Sequence, residues 1–418
     1  MVKIVLLSLL AAGGAGGPSP VVAPAVPEQA PAAPREAAAP PAAEERKKLE
    51  ERIARELGAE ATPFPGATLN PAPAAGSGDG PASPAGKGGI PVGRLLLIPD
   101  IAVVVDGALG YTNLTPEQQA PAALVLPRHR VEPLLQEVEL AFQATVDPYV
   151  RGDVFLTFTP EGVEVEEAYL TTLSLPWGLQ VKAGKIYSPF GRTGQLHRHQ
   201  WTFVEQPLSM QRLEGAEGLG GAGGDVAWLA PLPWFAELHL AYQATTPGFQ
   251  EGVTQLTGVA RLIQYLELAE GATLGVGLSW ATFQSERPDQ WKNLAGADLY
   301  LKLRDPASRA YWILQGEVYG RQLAAQVLGE GTWGGYGQVV WRLDRSWELG
   351  VRYDHAPAEG AAGPGTQQTW TAHAGYQPSE FFRIRLDPSL VQLPRDATGF
   401  QVLASFEFTL GVHGAHPF

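Results

Sequence analysis

The stretch LHRHQWTFVEQPLSMQRLEG, residues 196–215, gathers the side chains best suited to chemistry. His197 and His199 are two apart, so in an extended segment their imidazoles share a face. Zinc accepts two such nitrogens when a third protein ligand joins them, and Glu205 or Glu214 is the acid expected to do so. The alternative expectation for the pair is polar packing inside a loop. Ser188 and Ser209 lie near these histidines in sequence, but nothing resembling a nucleophile elbow surrounds either serine. A hydrolytic triad is defined by geometry rather than by proximity in sequence, so no enzyme activity is expected, and no cofactor.

A second set is cationic. Lys182, Lys185, Arg192, Arg198, Arg212, Lys302, Arg304, Arg352, Arg383 and Arg385 fall in the long loop or on the polar face of alternating segments. Ladders of such groups select anions in pores. The competing expectation is pairing with acids on the same face, among them Glu137, Glu139, Asp298, Glu317, Glu348, Asp354 and Asp387. With Asp+Glu at 43 against Lys+Arg at 30, the balance favours pairing. The net charge of -13 also argues against nucleic acid as a partner. There is no cysteine, which excludes disulfide staples, thiolate metal sites and thiol catalysis.

These residues must be positioned by strands. From Leu95 to the end, segments of about ten residues alternate apolar and polar, broken by Gly, Pro, Asp and Asn. In the last of them Val402, Ala404, Phe406, Phe408 and Leu410 face one way, while Ser405, Glu407 and Thr409 face the other. Sixteen such segments are predicted, beginning near 98, 134, 149, 163, 178, 219, 234, 255, 271, 293, 309, 333, 346, 366, 380 and 398. Minimal turns such as Pro176-Trp177-Gly178 and Asp344-Arg345-Ser346 alternate with long connections, of which 189–217 is the longest. No linker divides the span, and Trp177, Trp201, Trp234, Trp333, Trp341, Trp347 and Trp370 sit near its turns, where membrane-interface belts lie. The pattern predicts an all-β, transmembrane antiparallel barrel over 95–418, with lipid outside and a wet lumen. Loop 189–217 is expected to fold inward as a constriction. Phe406, Phe408 and Leu410 with the terminal Phe418 form the expected barrel-assembly signal, and outer-membrane lipid and the assembly machinery are the expected partners.

The first 94 residues read differently. Lys3 followed by the apolar run Ile4–Leu10 and small residues reads as a secretory signal, expected over 1–25. Residues 26–94 are rich in Pro, Ala and Gly and are expected to be a linker, interrupted by one short helix over 44–57.

The stretch EEAYLTTLSLPWGLQVKAGKIYSPFGR, residues 166–192, resembles the phosphate-selective porin family, porin O and P and their relatives, as do GGYGQVVWRLDRSWELGVRYD at 334–354 and YQPSEFFRIRL at 376–386. The resemblance implies a sixteen-strand barrel in the bacterial outer membrane, usually a homotrimer, that passes small anions. DPYVRGDVFLTF at 147–158, GVEVEEAYL at 162–170, the 196–224 loop and the ending HGAHPF are also similar to barrels described as zinc-regulated TonB-dependent outer-membrane receptors. That class uses 22 strands around a plug, and this chain is too short for both. Three functions are therefore expected to compete: a porin-like channel for small solutes or ions, a plugless and metal-linked receptor, and a structural barrel.

Overall fold

A computed structural model describes residues 99–119, 126–215, 218–246, 254–284, 292–305, 307–322, 332–358, 365–394 and 397–411. The expected signal peptide, the expected linker with its helix over 44–57, and Phe418 lie outside the described residues.

Sixteen antiparallel strands form a closed barrel. They are β1 (Asp100–Thr112), β2 (Glu132–Asp147), β3 (Val150–Thr159), β4 (Gly162–Thr172), β5 (Leu179–Tyr187), β6 (Gly220–Leu229), β7 (Phe235–Thr245) and β8 (Gln255–Ala269). The second half comprises β9 (Ala272–Phe283), β10 (Lys292–Arg304), β11 (Tyr311–Gln322), β12 (Thr332–Arg342), β13 (Trp347–Ala358), β14 (Gly365–Ser379), β15 (Phe382–Gln392) and β16 (Thr398–Gly411). Every strand pairs with its neighbours in sequence, and β16 returns to β1 in a register running from Ala102↔Gly411 to Thr112↔Gln401. Closure leaves no free edge, so every strand's backbone N–H and C=O groups can bond to a neighbour. Strand number and order are as the alternation predicts, and the starts agree to about two residues.

The two faces are solvated as the period-two pattern requires. Leu240, Leu278, Leu299, Val351, Ile384 and Phe406 are exposed on the outer wall, whereas Glu137, Glu139, Asp298, Glu317, Asp354 and Arg385 are buried on the lumen side. An outer wall with this much exposed apolar surface is incompatible with water around it. Trp177, Trp234, Trp333 and Trp347 are exposed near strand ends and Trp370 is exposed within β14, but Trp201 is buried, so the belt expected there is corrected at that position. It belongs to the long loop, and its indole Nε1 donates to the Leu196 carbonyl at 3.1 Å.

Tight turns lie on one rim (148–149, 270–271 and 380–381 among them), and the longer connections lie mostly on the other. On the longer-loop rim a short helix α1 (Pro116–Gln119) follows β1. The β5–β6 connection carries a second, α2 (Leu208–Leu213).

Two bulges decide which side chains enter the lumen. The β3–β4 register steps from Phe155↔Glu167 to Leu156↔Val165, leaving Glu166 as the extra residue. The β1–β2 register steps from Asp106↔Glu137 to Gly107↔Leu135, leaving Gln136 extra. A bulge lets two consecutive residues point the same way. Val163, Val165 and Leu170 remain outward, and both Glu166 and Glu167 turn inward.

Candidate functional site: the loop across the lumen

The β5–β6 connection does not leave the barrel. It folds inward and binds walls on opposite sides of the lumen. Its chemistry follows from what it lacks: a loop has no ladder partners, so its backbone polar groups need acceptors and donors from the wall once water is excluded.

The start of the loop is held by β11. The Glu317 carboxylate accepts the backbone N–H groups of Arg192 at 2.7 Å and Thr193 at 2.9 Å. It also accepts the hydroxyls of Tyr319 at 2.8 Å and Tyr336 at 2.6 Å. Gly191 just before these residues has φ +61, and a Cβ there would stand 2.7 Å from the same carboxylate, so glycine is required twice over. Phe190, Met210, Leu213 and Leu219 then pack with Ala241, Val259, Ala281, Phe283, Leu294 and Tyr319, an apolar patch on the lumen face of β7–β11. Burying each large side chain there contributes roughly 1.5–3 kcal/mol.

The middle of the loop is capped from β13, β15 and β16. Arg383 donates to the carbonyls of His199 at 2.6 Å and Trp201 at 3.2 Å, and pairs with Glu407 at 2.6 Å. Arg385 donates to the Trp201 carbonyl at 3.0 Å and pairs with Asp106 at 2.9 Å, and its side chain is fully buried. Arg352 donates to the Glu205 carbonyl at 2.8 Å and bonds Asp354. The carboxylates act in the opposite sense: Asp387 accepts the Val204 N–H at 2.7 Å and Asp354 that of Leu208 at 3.0 Å. Wall acids and bases thus substitute for a missing strand neighbour.

The remaining cations divide by environment. Lys185 pairs with Glu164 at 2.8 Å, and Arg198 is 3.6 Å from Glu137. Arg212 is buried in α2 and donates to Gln367 at 3.1 Å. Lys182 lies over the Tyr169 ring at 4.8 Å, Arg192 over Tyr300 at 4.0 Å, and Lys302 over Tyr311 at 4.8 Å. Arg304 is exposed near the end of β10.

The histidines meet acids, though not the acids expected. His197 Nδ1 lies 2.7 Å from the Glu139 carboxylate and 3.5 Å from that of Glu166, while its Nε2 lies 2.9 Å from Glu167. His199 Nδ1 is 3.3 Å from the same oxygen of Glu139. Glu139, His197 and His199 form the group of potential metal donors among the described residues. Glu205 and Glu214 take no part: the loop lies against β2 and β4, so the wall supplies acids that are distant in sequence. Burial opposes a charged His197, but its hydrogen bonds to Glu139, Glu166 and Glu167 prevail and raise its pKa well above the ordinary value. Burial and the neighbouring Glu317 charge push the Glu214 carboxyl well above its usual range.

This cluster stands between two spaces. A cavity of about 620 Å³ toward the tight-turn rim is lined by Glu139, Arg151, Glu167, Tyr169, Lys182, Arg192 and His197. Another of about 770 Å³ at the longer-loop rim is lined by Glu137, Thr157, Glu164, Glu166, Arg198 and Trp201. Tyr187 borders both; its hydroxyl bonds Glu166 at 2.5 Å and its backbone N–H bonds Glu167 at 2.7 Å.

Sequence reasoning missed Glu166 and Glu167 as site residues, and Asp106 as the partner of Arg385. For the glutamates a signal exists: in GVEVEEAYL the outward parity runs Val163, Val165 and then breaks before Leu170. Such a break marks a bulge. Asp106 carries no comparable signal.

An uncharacterized protein of Aquifex aeolicus (strain VF5) is 30% identical over 333 residues, covering 68% of this chain and 70% of that protein. No protein-family model matches the chain. Among solved structures, Pseudomonas putida OprB at high pH aligns with a TM-score of 0.54 at 7% identity, covering 76% of this chain and 96% of its own. An anion-selective porin from Comamonas acidovorans aligns at 0.51 and 10% identity, covering 75% and 99%. The outer membrane channel DcaP of Acinetobacter baumannii aligns at 0.50 and 12%, covering 75% and 97%. At these identities the likeness is one of fold.

Proposed function

Because the chain belongs to the same family as the uncharacterized Aquifex aeolicus protein and closes into a porin-like barrel, we propose that it is an outer-membrane channel for passive diffusion of small solutes or ions. The observation that carries this reading is a loop tied across the lumen of a barrel whose outer wall is apolar. A structural barrel has no need of an internal loop that divides its interior; a channel uses one to set its aperture. The route runs along β2–β5, where the two cavities approach each other at Tyr187 and the His197 cluster. A loop tied across the lumen there limits flux to small solutes.

The resemblance to phosphate-selective porins extends to the barrel and its turns. Arg352, Arg383 and Arg385, candidates for an anion path or for pairing with acids, bond loop carbonyls and wall acids, which supports a channel without a dedicated phosphate ladder. Lys182, Arg192 and Lys302, lying over tyrosines, are the cations placed to meet a solute. Residues 1–25 are proposed to direct export, and residues 26–94 to remain as a linker on the periplasmic side.

The test is reconstitution of the purified barrel in planar bilayers. Discrete conductance steps are expected, with a smaller unit than a loop-deleted variant. A bilayer that stays sealed although folded protein has inserted refutes the channel reading.

A further inference from the structure

We propose that Glu139, His197 and His199 form a binding site for a divalent transition-metal ion of the zinc class, with the fourth position left to water, which clamps the loop to the β2 wall. A tetrahedral zinc site with bonds of about 2.0–2.2 Å holds its donors about 3.3–3.6 Å apart. His199 Nδ1 stands 3.3 Å from Glu139 Oε2, and the donor atoms of Glu139, His197 and His199 all lie within 4.8 Å of one another. The edge from His197 Nδ1 to Glu139 Oε2 is 2.7 Å, a hydrogen bond that opens when an ion replaces the shared proton. That proton leaves to solvent as the ion enters.

The surroundings match a metal centre as well as the donors do. A metal-bound histidine commonly gives its other ring N–H to a carboxylate, which fixes the ring. His197 Nε2 lies 2.9 Å from Glu167, which is itself held by the Tyr187 N–H at 2.7 Å. Glu166 is oriented by Thr157 Oγ1 at 2.6 Å and by the Tyr187 hydroxyl. Three carboxylates therefore face two histidines in one buried cluster, an excess of negative charge that a divalent cation would neutralise. The bulge in β4 brings Glu166 and Glu167 to the cluster together, which regular alternation cannot do. The neighbouring 620 Å³ cavity gives an ion a way in from the lumen.

The proposal deepens the channel reading, because an ion here sits on the septum that solutes must pass, but its test does not depend on conduction. The full chain, folded in detergent, is titrated with cobalt(II) and followed by visible absorption, then with zinc chloride by calorimetry. One ion per chain is expected, with the intense bands of tetrahedral cobalt that zinc then displaces. H199A is expected to weaken binding at least tenfold, with E139Q weaker still. H239A, whose imidazole sits between Asp225 and Glu237 away from the cluster, is expected to bind as the parent does. Heat-modifiable gel migration reports folding; if E139Q does not fold, H199Q, at the loop edge of the cluster, supplies the same comparison. Absence of cobalt bands in the parent chain, a pale octahedral spectrum, or equal affinity in H199A or H199Q overturns the proposal. A chain that conducts yet binds no cobalt loses the site and keeps the channel; one that binds cobalt yet seals the bilayer does the reverse.

Discussion

The Glu317 anchor makes the sharpest test of how the loop is held. Its two carboxylate oxygens receive four donors, two on each. Oε1 accepts the Thr193 N–H and the Tyr336 hydroxyl, while Oε2 accepts the Arg192 N–H and the Tyr319 hydroxyl. Glu317→Gln keeps size and shape but converts one oxygen into an NH₂ group. In either amide orientation one of the two backbone N–H bonds is lost and an NH₂ is turned toward that N–H, while the tyrosine hydroxyl on the same side can rotate to accept from it. Hydrogen bonds to a charged group contribute about 1.5–3 kcal/mol each, so the loop start loses roughly 1.5–3 kcal/mol. At about 1.4 kcal/mol per factor of ten, local opening becomes roughly 10- to 100-fold more frequent. Hydrogen exchange read by mass spectrometry on a peptide covering 188–201 is the assay, with β13–β14 peptides as the internal reference. Faster exchange confined to the loop peptide is expected, together with noisier single-channel current. Unchanged protection of that peptide in a folded variant refutes the view that wall carboxylates substitute for strand neighbours.

Other predictions follow the same physics. Arg385→Ala leaves Asp106 buried without its arginine and should destabilise the folded barrel by about 3–5 kcal/mol, measured by urea-dependent gel migration. Gly191→Ala forces a Cβ into a left-handed backbone against Glu317 and should loosen the same loop peptide while leaving strand exchange unchanged. Leu240→Arg, at the middle of β7 on the exposed outer wall, should cost about 2–4 kcal/mol of stability in lipid, and an equal insertion yield would count against lipid contact there. Glu214→Gln tests the buried acid. Its folded pKa is raised, so the native state holds a proton that the unfolded chain releases, and stability is full below the ordinary carboxylate pKa and falls as pH rises toward the folded value. Each pH unit in that window removes up to about 1.4 kcal/mol, and the glutamine variant should flatten the decline seen in thermal unfolding from pH 4 to 8.

The strands were legible because alternation is a local property. Leu299, Leu301 and Leu303 announce one face and Asp298, Lys302 and Arg304 the other without reference to any other strand. Lipid outside and charge inside then followed from the absence of any dividing linker and from turns that alternate between tight and long. An inward course was open to so long a connection as 189–217, but whether it closes the lumen was not legible in the sequence.

What only the tertiary structure decided is who meets whom across the lumen. The histidine pair was visible, but its acid was sought nearby at Glu205 or Glu214, whereas Glu139 comes from β2, 58 residues before His197. Arg383 and Arg385 read as groups for an anion path or, with the charge balance favouring it, for pairing with wall acids, but the loop carbonyls that share their hydrogen bonds carry no signal in the sequence. The physical reason is the same in each case. Side-chain direction along a strand is set by neighbouring residues, so sequence determines which groups face the lumen. The partner of a lumen group is set by closure of the ring and by the course of a loop through it, and these bring together residues whose separation along the chain carries no local signature.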